Sequence, residues 1–110
     1  MYSKFLSLEN KGFQMFFTNG YGVSVQYGIS NYCDAQDLSL SALGKVMKDR
    51  VWSSKTAEIA MCKGSPDKWE FAPEARILFP DWFRNDDVSG RMTTNEVAEF
   101  IHTVSLLPGW

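Results

Sequence analysis

A chain of 110 residues with 45% hydrophobic and 15% aromatic side chains has the length of one domain and enough apolar surface to bury a modest core, which excludes disorder. Its net charge of −2 is unevenly spread: residues 1–55 carry six Lys+Arg against four Asp+Glu, and residues 56–110 carry five against nine. The acidic second half disfavours a general nucleic-acid binder, and no apolar run approaches the ~20 residues that cross a bilayer.

In chain order, Ser3–Leu8 reads as a first strand. Glu9-Asn10-Lys11-Gly12 is a turn signal that leads into a second. The firmest pattern follows. Phe13, Met15 and Phe17 alternate with polar or opposite-facing residues, and so do Val23, Val25 and Tyr27. Asn19-Gly20-Tyr21-Gly22 lies between them. A two-residue turn on Asn19-Gly20 pairs Thr18 with Tyr21 and puts the two apolar sets on opposite faces. An odd loop or a bulge beside the turn instead places Phe17 opposite Val23, Met15 opposite Val25 and Phe13 opposite Tyr27. One slip flips every side chain of a strand, so the apolar match predicts the odd register.

Ser30–Asp34 reads as a loop. Leu40, Leu43 and Met47 fall at helical spacing within 39–50, which predicts a short helix that Gly44 weakens. Ser54–Cys62 reads as a strand with Ala57, Ile59 and Met61 on one face. Lys63–Asp67 reads as a turn and Trp69–Phe71 as a partner strand. Pro73 and Pro80 bracket a stretch with little periodicity, and Asn85–Gly90 is a polar loop. Thr93 and Glu96 form a capping box ahead of Val97, Phe100, Ile101 and Val104 at helical spacing. That predicts a helix over about 94–104, stopped by Pro108-Gly109. The sum is an α+β fold: an antiparallel sheet of about five strands built from hairpins, with the C-terminal helix on one face.

No catalytic or metal set is visible, no cofactor is implied, and the chain is expected not to be an enzyme. Cys33 and Cys62 lie 29 apart with no Cys-x-x-Cys, and the lone His102 completes no zinc set. Adjacent Asp86 and Asp87 point apart in an extended chain. Gly20 and Gly22 sit at a hairpin tip, not between strand and helix. The N-terminus lacks a signal-peptide core, so cytoplasmic residence is expected. The stretch Ile77–Arg84 crowds large apolar residues and an arginine into a segment without period. Trp and Arg are favoured at interface hot spots, which makes Phe79, Trp82, Phe83 and Arg84 candidate partner contacts. Tyr21 at the hairpin tip joins them. With Phe16 and Trp110, it offers a ring that could also stack a nucleic-acid base.

The run Ser7–Met15, then Asn19-Gly20, Val23–Gly28 and Asn31-Tyr32-Cys33, resembles a group of small uncharacterised proteins encoded by tailed bacteriophages. Ser54–Ala60 and Glu96–Ile101 fit the same pattern, while residues 35–53 and 72–91 lie outside it. The resemblance implies a viral or prophage origin and a life in the cytoplasm of a bacterial host. It brings no functional residues with it. The expectation is an accessory protein that binds a host or phage macromolecule, either a protein partner or a second copy of itself. A single-stranded nucleic-acid binder or a minor virion component is the alternative.

Overall fold

The structure, a computed structural model, describes residues 4–7, 12–27 and 54–110. The expected helix within 39–50, the loop at 30–34 and Cys33 lie outside the described residues.

The chain forms β1 (Lys4–Ser7), β2 (Gly12–Phe16), β3 (Tyr21–Gln26), β4 (Ala57–Ser65), β5 (Lys68–Phe71), α1 (Glu74–Leu78), α2 (Pro80–Phe83), β6 (Val88–Met92) and α3 (Thr94–Ser105). The six strands make one sheet in the order β1-β2-β3-β4-β5, with β6 also paired to β4, and every pairing is antiparallel. This is the expected α+β architecture, an antiparallel sheet of about five strands with the C-terminal helix on one face, and six strands are present among the described residues.

The β2–β3 hairpin keeps the predicted faces but not the predicted partners. Met15 pairs with Val23, Phe13 with Val25 and Phe16 with Gly22. Phe17 N–H donates to the Tyr21 carbonyl at 2.8 Å, which leaves Thr18, Asn19 and Gly20 as the loop. The predicted pairs centre the turn on Gly20; the observed loop is centred one residue earlier, on Asn19, with Gly20 at φ 89° as its last residue. Moving every pair by two preserves parity, so Phe13, Met15, Phe17, Val23, Val25 and Tyr27 all still belong to one wall of the core.

That wall meets Ala57, Ile59 and Met61 of β4 and is roofed by α3, whose Phe100 and Val104 are fully buried. The helix begins as predicted. Thr93 Oγ1 accepts from Glu96 N–H at 3.3 Å, and Glu96 Oε1 accepts from Thr93 N–H at 2.9 Å. The opposite face of the sheet is also buried at Gln14, Phe16, Ser24, Ala60 and Cys62. Phe16, offered above as an exposed stacking ring, is therefore interior. Its ring lies over Gly22, where a side chain would collide with it.

β4 runs further than the sequence suggested, through Lys63 and Gly64 to a turn at Pro66-Asp67. Its second half pairs with β5 and its first half with β6. The expected polar loop at 85–90 is thus partly strand. The backbone groups along the open side of β4 require partners, and that requirement outweighs the weak β-propensity of Ser89-Gly90-Arg91.

Candidate functional site

The segment Ile77–Arg84 turns its aromatic side chains inward. Phe79 sits between α1 and α2, at the C-cap of one and the N-cap of the other. Its ring stacks on Trp82 at 5.2 Å and 2° and meets Phe100 edge-on at 5.3 Å. Phe83 is 1% exposed and packs on Phe100 at 5.9 Å. Both rings anchor the segment to α3, so Phe83 is not available to a partner and Phe79 only in part. Trp82 is half-buried.

Arg84 is exposed, at φ 51° and ψ −113°. With Trp82 it lines an open cleft of about 640 Å³ shared with Asp81, Asp86, Arg91 and Glu96, where charges of both signs offset one another. Two of those carboxylates already serve the backbone. Asp86 Oδ1 accepts from Asp87 N–H at 2.7 Å, and Glu96 holds the α3 cap.

The aliphatic residues of the same segment point outward. Ile77 is 80% exposed and Leu78 41%. Ile77, Leu78, Leu107 and Pro108 wall a cleft of about 210 Å³, with Tyr21 and Glu74 also lining it. Trp110, 59% exposed, stands next to Tyr21 with ring centroids 6.3 Å apart. Its indole N–H donates to the Gly20 carbonyl at 2.6 Å.

The cleft has one charged corner. Tyr21 hydroxyl donates to Glu74 Oε2 at 2.7 Å, and Lys63 Nζ approaches the two oxygens at 3.4 and 3.5 Å. The Lys63 ammonium also lies 5.0 Å from the Trp110 ring. The hydrogen bond to Glu74, with burial and the carboxylate's charge, pushes the Tyr21 phenol up to about 12. Burial alone would raise Glu74, but the Tyr21 hydrogen bond, a backbone hydrogen bond and Lys63 together outweigh it and hold its carboxyl below the ordinary value. At neutral pH the corner is therefore a neutral phenol donating to an ionised carboxylate.

Tyr21, expected at an exposed hairpin tip, is 6% exposed and is one of the residues that line the cleft. Cys62 is fully buried on the other face of the sheet, and burial pushes its thiol up to about 12, so it is no nucleophile at neutral pH. His102 is exposed on α3. Among the described residues no group of three His, Cys, Asp or Glu could hold a metal, and no helix is long and apolar enough to cross a membrane.

Of the residues singled out in the sequence, Phe83 and Tyr21 are buried, Phe79 and Trp82 half-buried and Arg84 exposed, while the exposed apolar residues of the segment are Ile77 and Leu78. Ile77 and Leu78 carry no local mark that separates them from Phe79 and Phe83. Comparison of the chain with protein-family models, curated proteins and solved structures gave no match.

Proposed function

We propose that this chain is a non-enzymatic bacteriophage accessory protein that acts in the host cytoplasm and binds a host or phage protein through the cleft between α1 and the tail after α3. The observation that carries the reading is the outward placement of Ile77 and Leu78 against Leu107 and Pro108. Apolar side chains grouped around a cleft, on elements fixed by buried aromatics beneath them, are the usual mark of a protein-binding surface.

The phage origin rests on the sequence blocks quoted above. A protein partner is favoured over single-stranded nucleic acid because two of the three rings offered for stacking, Phe16 and Tyr21, are interior, which leaves only Trp110 of that set exposed. The mechanism is occlusion: a rigid face covers a surface the partner needs for something else.

The test is co-purification from infected host lysate with tagged wild-type chain and with Ile77→Asp. A protein recovered with the wild type and absent with the variant, both having the same melting temperature, is the expected result. Recovery of an identical set with both, or of the chain alone at monomer mass, would overturn the proposal.

A further inference from the structure

Among the described residues, two that are not glycine hold a backbone of positive φ, and both are arginines: Arg84 at φ 51° and Arg91 at φ 53°. Glycine takes such a conformation without cost, and among the other residues asparagine and aspartate tolerate it best. Arginine is a costly occupant of either position. Both residues line the same cleft of about 640 Å³, within the roughly 300–1,000 Å³ of small-molecule sites. They reach it from different elements. Arg84 follows α2, and Arg91 lies in a bulge of β6, where Gly90 and Arg91 together stand opposite Glu58 of β4. A backbone outlier kept at a cost, beside a cleft, points to a use for its side chain outside the fold.

The cleft also supplies a ring and carboxylates that are unequally engaged. Trp82 lines it, half-buried and held by its parallel stack on Phe79. Two of its three carboxylates serve nearby backbone. Asp86 Oδ1 accepts from Asp87 N–H at 2.7 Å and Val88 N–H at 3.3 Å, and Glu96 Oε1 accepts from Thr93 N–H and Oγ1, each at 2.9 Å. The Arg84 guanidinium is exposed and pairs with no carboxylate among the described residues, so its donors stay open.

We propose that this cleft binds a small planar ring carrying an oxyanion, either a phosphate monoester or a carboxylate, with the anion on Arg84 and the ring against Trp82. The planar guanidinium fork takes either oxyanion in two parallel hydrogen bonds. The carboxylates that share the cleft oppose a bare anion, so the ring is needed to hold the ligand there. Stability is given up for binding at one residue, as sites that need a strained geometry commonly do. This cleft shares no lining residue with the one between α1 and the tail, so the two sites can be tested separately.

The test titrates the full chain with adenosine monophosphate and with indole acetate, each a ring joined to an oxyanion. Adenosine and inorganic phosphate serve as the ring alone and the anion alone. The Trp82 indole resonance reports binding, and thermal melts report stability. At least one joined ligand is expected to bind at least about tenfold more tightly than either half, a difference of about 1.4 kcal/mol. Binding of the monophosphate alone assigns a phosphate ester, and binding of indole acetate alone a carboxylate. Arg84→Gly is expected to melt higher than the wild type and yet bind at least about tenfold more weakly. Arg84→Lys keeps the charge without the fork and should fall between the two in affinity. Lys68→Gln removes an exposed charge outside the cleft and should leave affinity unchanged.

No binding of either joined ligand, or binding of adenosine or phosphate as tight as theirs, would overturn the proposal. So would unchanged affinity in Arg84→Gly. A lower melting temperature in that variant would overturn it too, because the guanidinium would then serve the fold.

Discussion

The side-chain amide of Asn19, at the tip of the β2–β3 hairpin, donates to the carbonyl of Val104 at the end of α3 at 2.9 Å. The same nitrogen reaches the Leu107 carbonyl at 3.0 Å, and the Asn19 oxygen accepts from Tyr21 N–H at 3.0 Å. A helix leaves its last carbonyls without internal partners, and here a residue some 85 positions away supplies the donor. The hairpin loop thereby fixes where the tail leaves the helix, and so where Leu107 and Pro108 stand as one wall of the cleft.

Asn19→Ala should cost about 1–3 kcal/mol, because it strands part-buried carbonyls instead of merely deleting a contact. Asn19→Asp should cost at least as much, since it loses the donor and sets a negative charge against the helix C-terminus. Urea unfolding measures both, and a loss under about 0.5 kcal/mol in each would show that the tie contributes little.

The fold was legible where period and capping act locally. The alternation of Phe13–Phe17 and Val23–Tyr27 fixed a common face because register parity has only two values. The Thr93–Glu96 box placed the start of α3 at the right residue. What failed was set by distant partners. The hairpin pairs are displaced by two because the turn centres on Asn19, whose side chain is tied to the end of α3 and to Tyr21 N–H, and not on Gly20. β6 is a strand because β4 offers it an edge. The cleft was illegible for the same reason: its two walls are about 30 residues apart in sequence. Whether Ile77 or Phe83 faces water depends on Phe100, which no local pattern reveals.

The Tyr21–Glu74 pair predicts a stability profile with two limbs. Between about pH 10 and 12 the unfolded chain loses its phenolic proton before the folded chain does, so stability falls as pH rises through that window. Below the ordinary carboxylate value of 4.5, the unfolded chain protonates first at position 74, so stability falls as pH drops. Tyr21→Phe should flatten the alkaline limb and Glu74→Gln the acid limb. Thermal melts across pH 3–12 read both, and limbs of unchanged slope in the variants would assign them to other groups.

Gly22 is needed for space. A Cβ there would stand 2.8 Å from Phe16 Cδ1 and 2.9 Å from the Met15 carbonyl oxygen. The ring can turn, but the carbonyl belongs to the paired strand. Gly22→Ala is therefore expected to cost about 1–3 kcal/mol through overpacking. A melting temperature within a degree of the wild type would mean that the strands spread at little cost.

Arg84 occupies backbone space that favours glycine, at φ 51° and ψ −113°, directly after α2. Its N–H donates to the Pro80 carbonyl at 3.1 Å, so the strain is held by the helix end and not by its exposed side chain. Such a conformation costs about 1–3 kcal/mol. Glycine relieves that, less about 0.4–1 kcal/mol for the greater freedom of the unfolded chain. Arg84→Gly is expected to stabilise by about 1 kcal/mol, and Arg84→Val to destabilise. A loss of stability in the glycine variant would show that the guanidinium makes a contact of its own.

Phe83 and Ile77 stand six residues apart in one segment and should respond oppositely to substitution. Phe83 is 1% exposed against Phe79 and Phe100, so Phe83→Ala leaves a cavity in the aromatic cluster that holds α1 and α2 to α3, at about 3–5 kcal/mol. Ile77 is 80% exposed, so Ile77→Asp removes little buried area and should stay within about 0.5 kcal/mol of the wild type. Its effect belongs to binding, where the aspartate brings a second negative charge to a cleft that already holds Glu74. Stability and partner capture measured together on both variants separate the roles. If Ile77→Asp unfolds the chain, the aliphatic wall is part of the core and its claim as a docking surface fails.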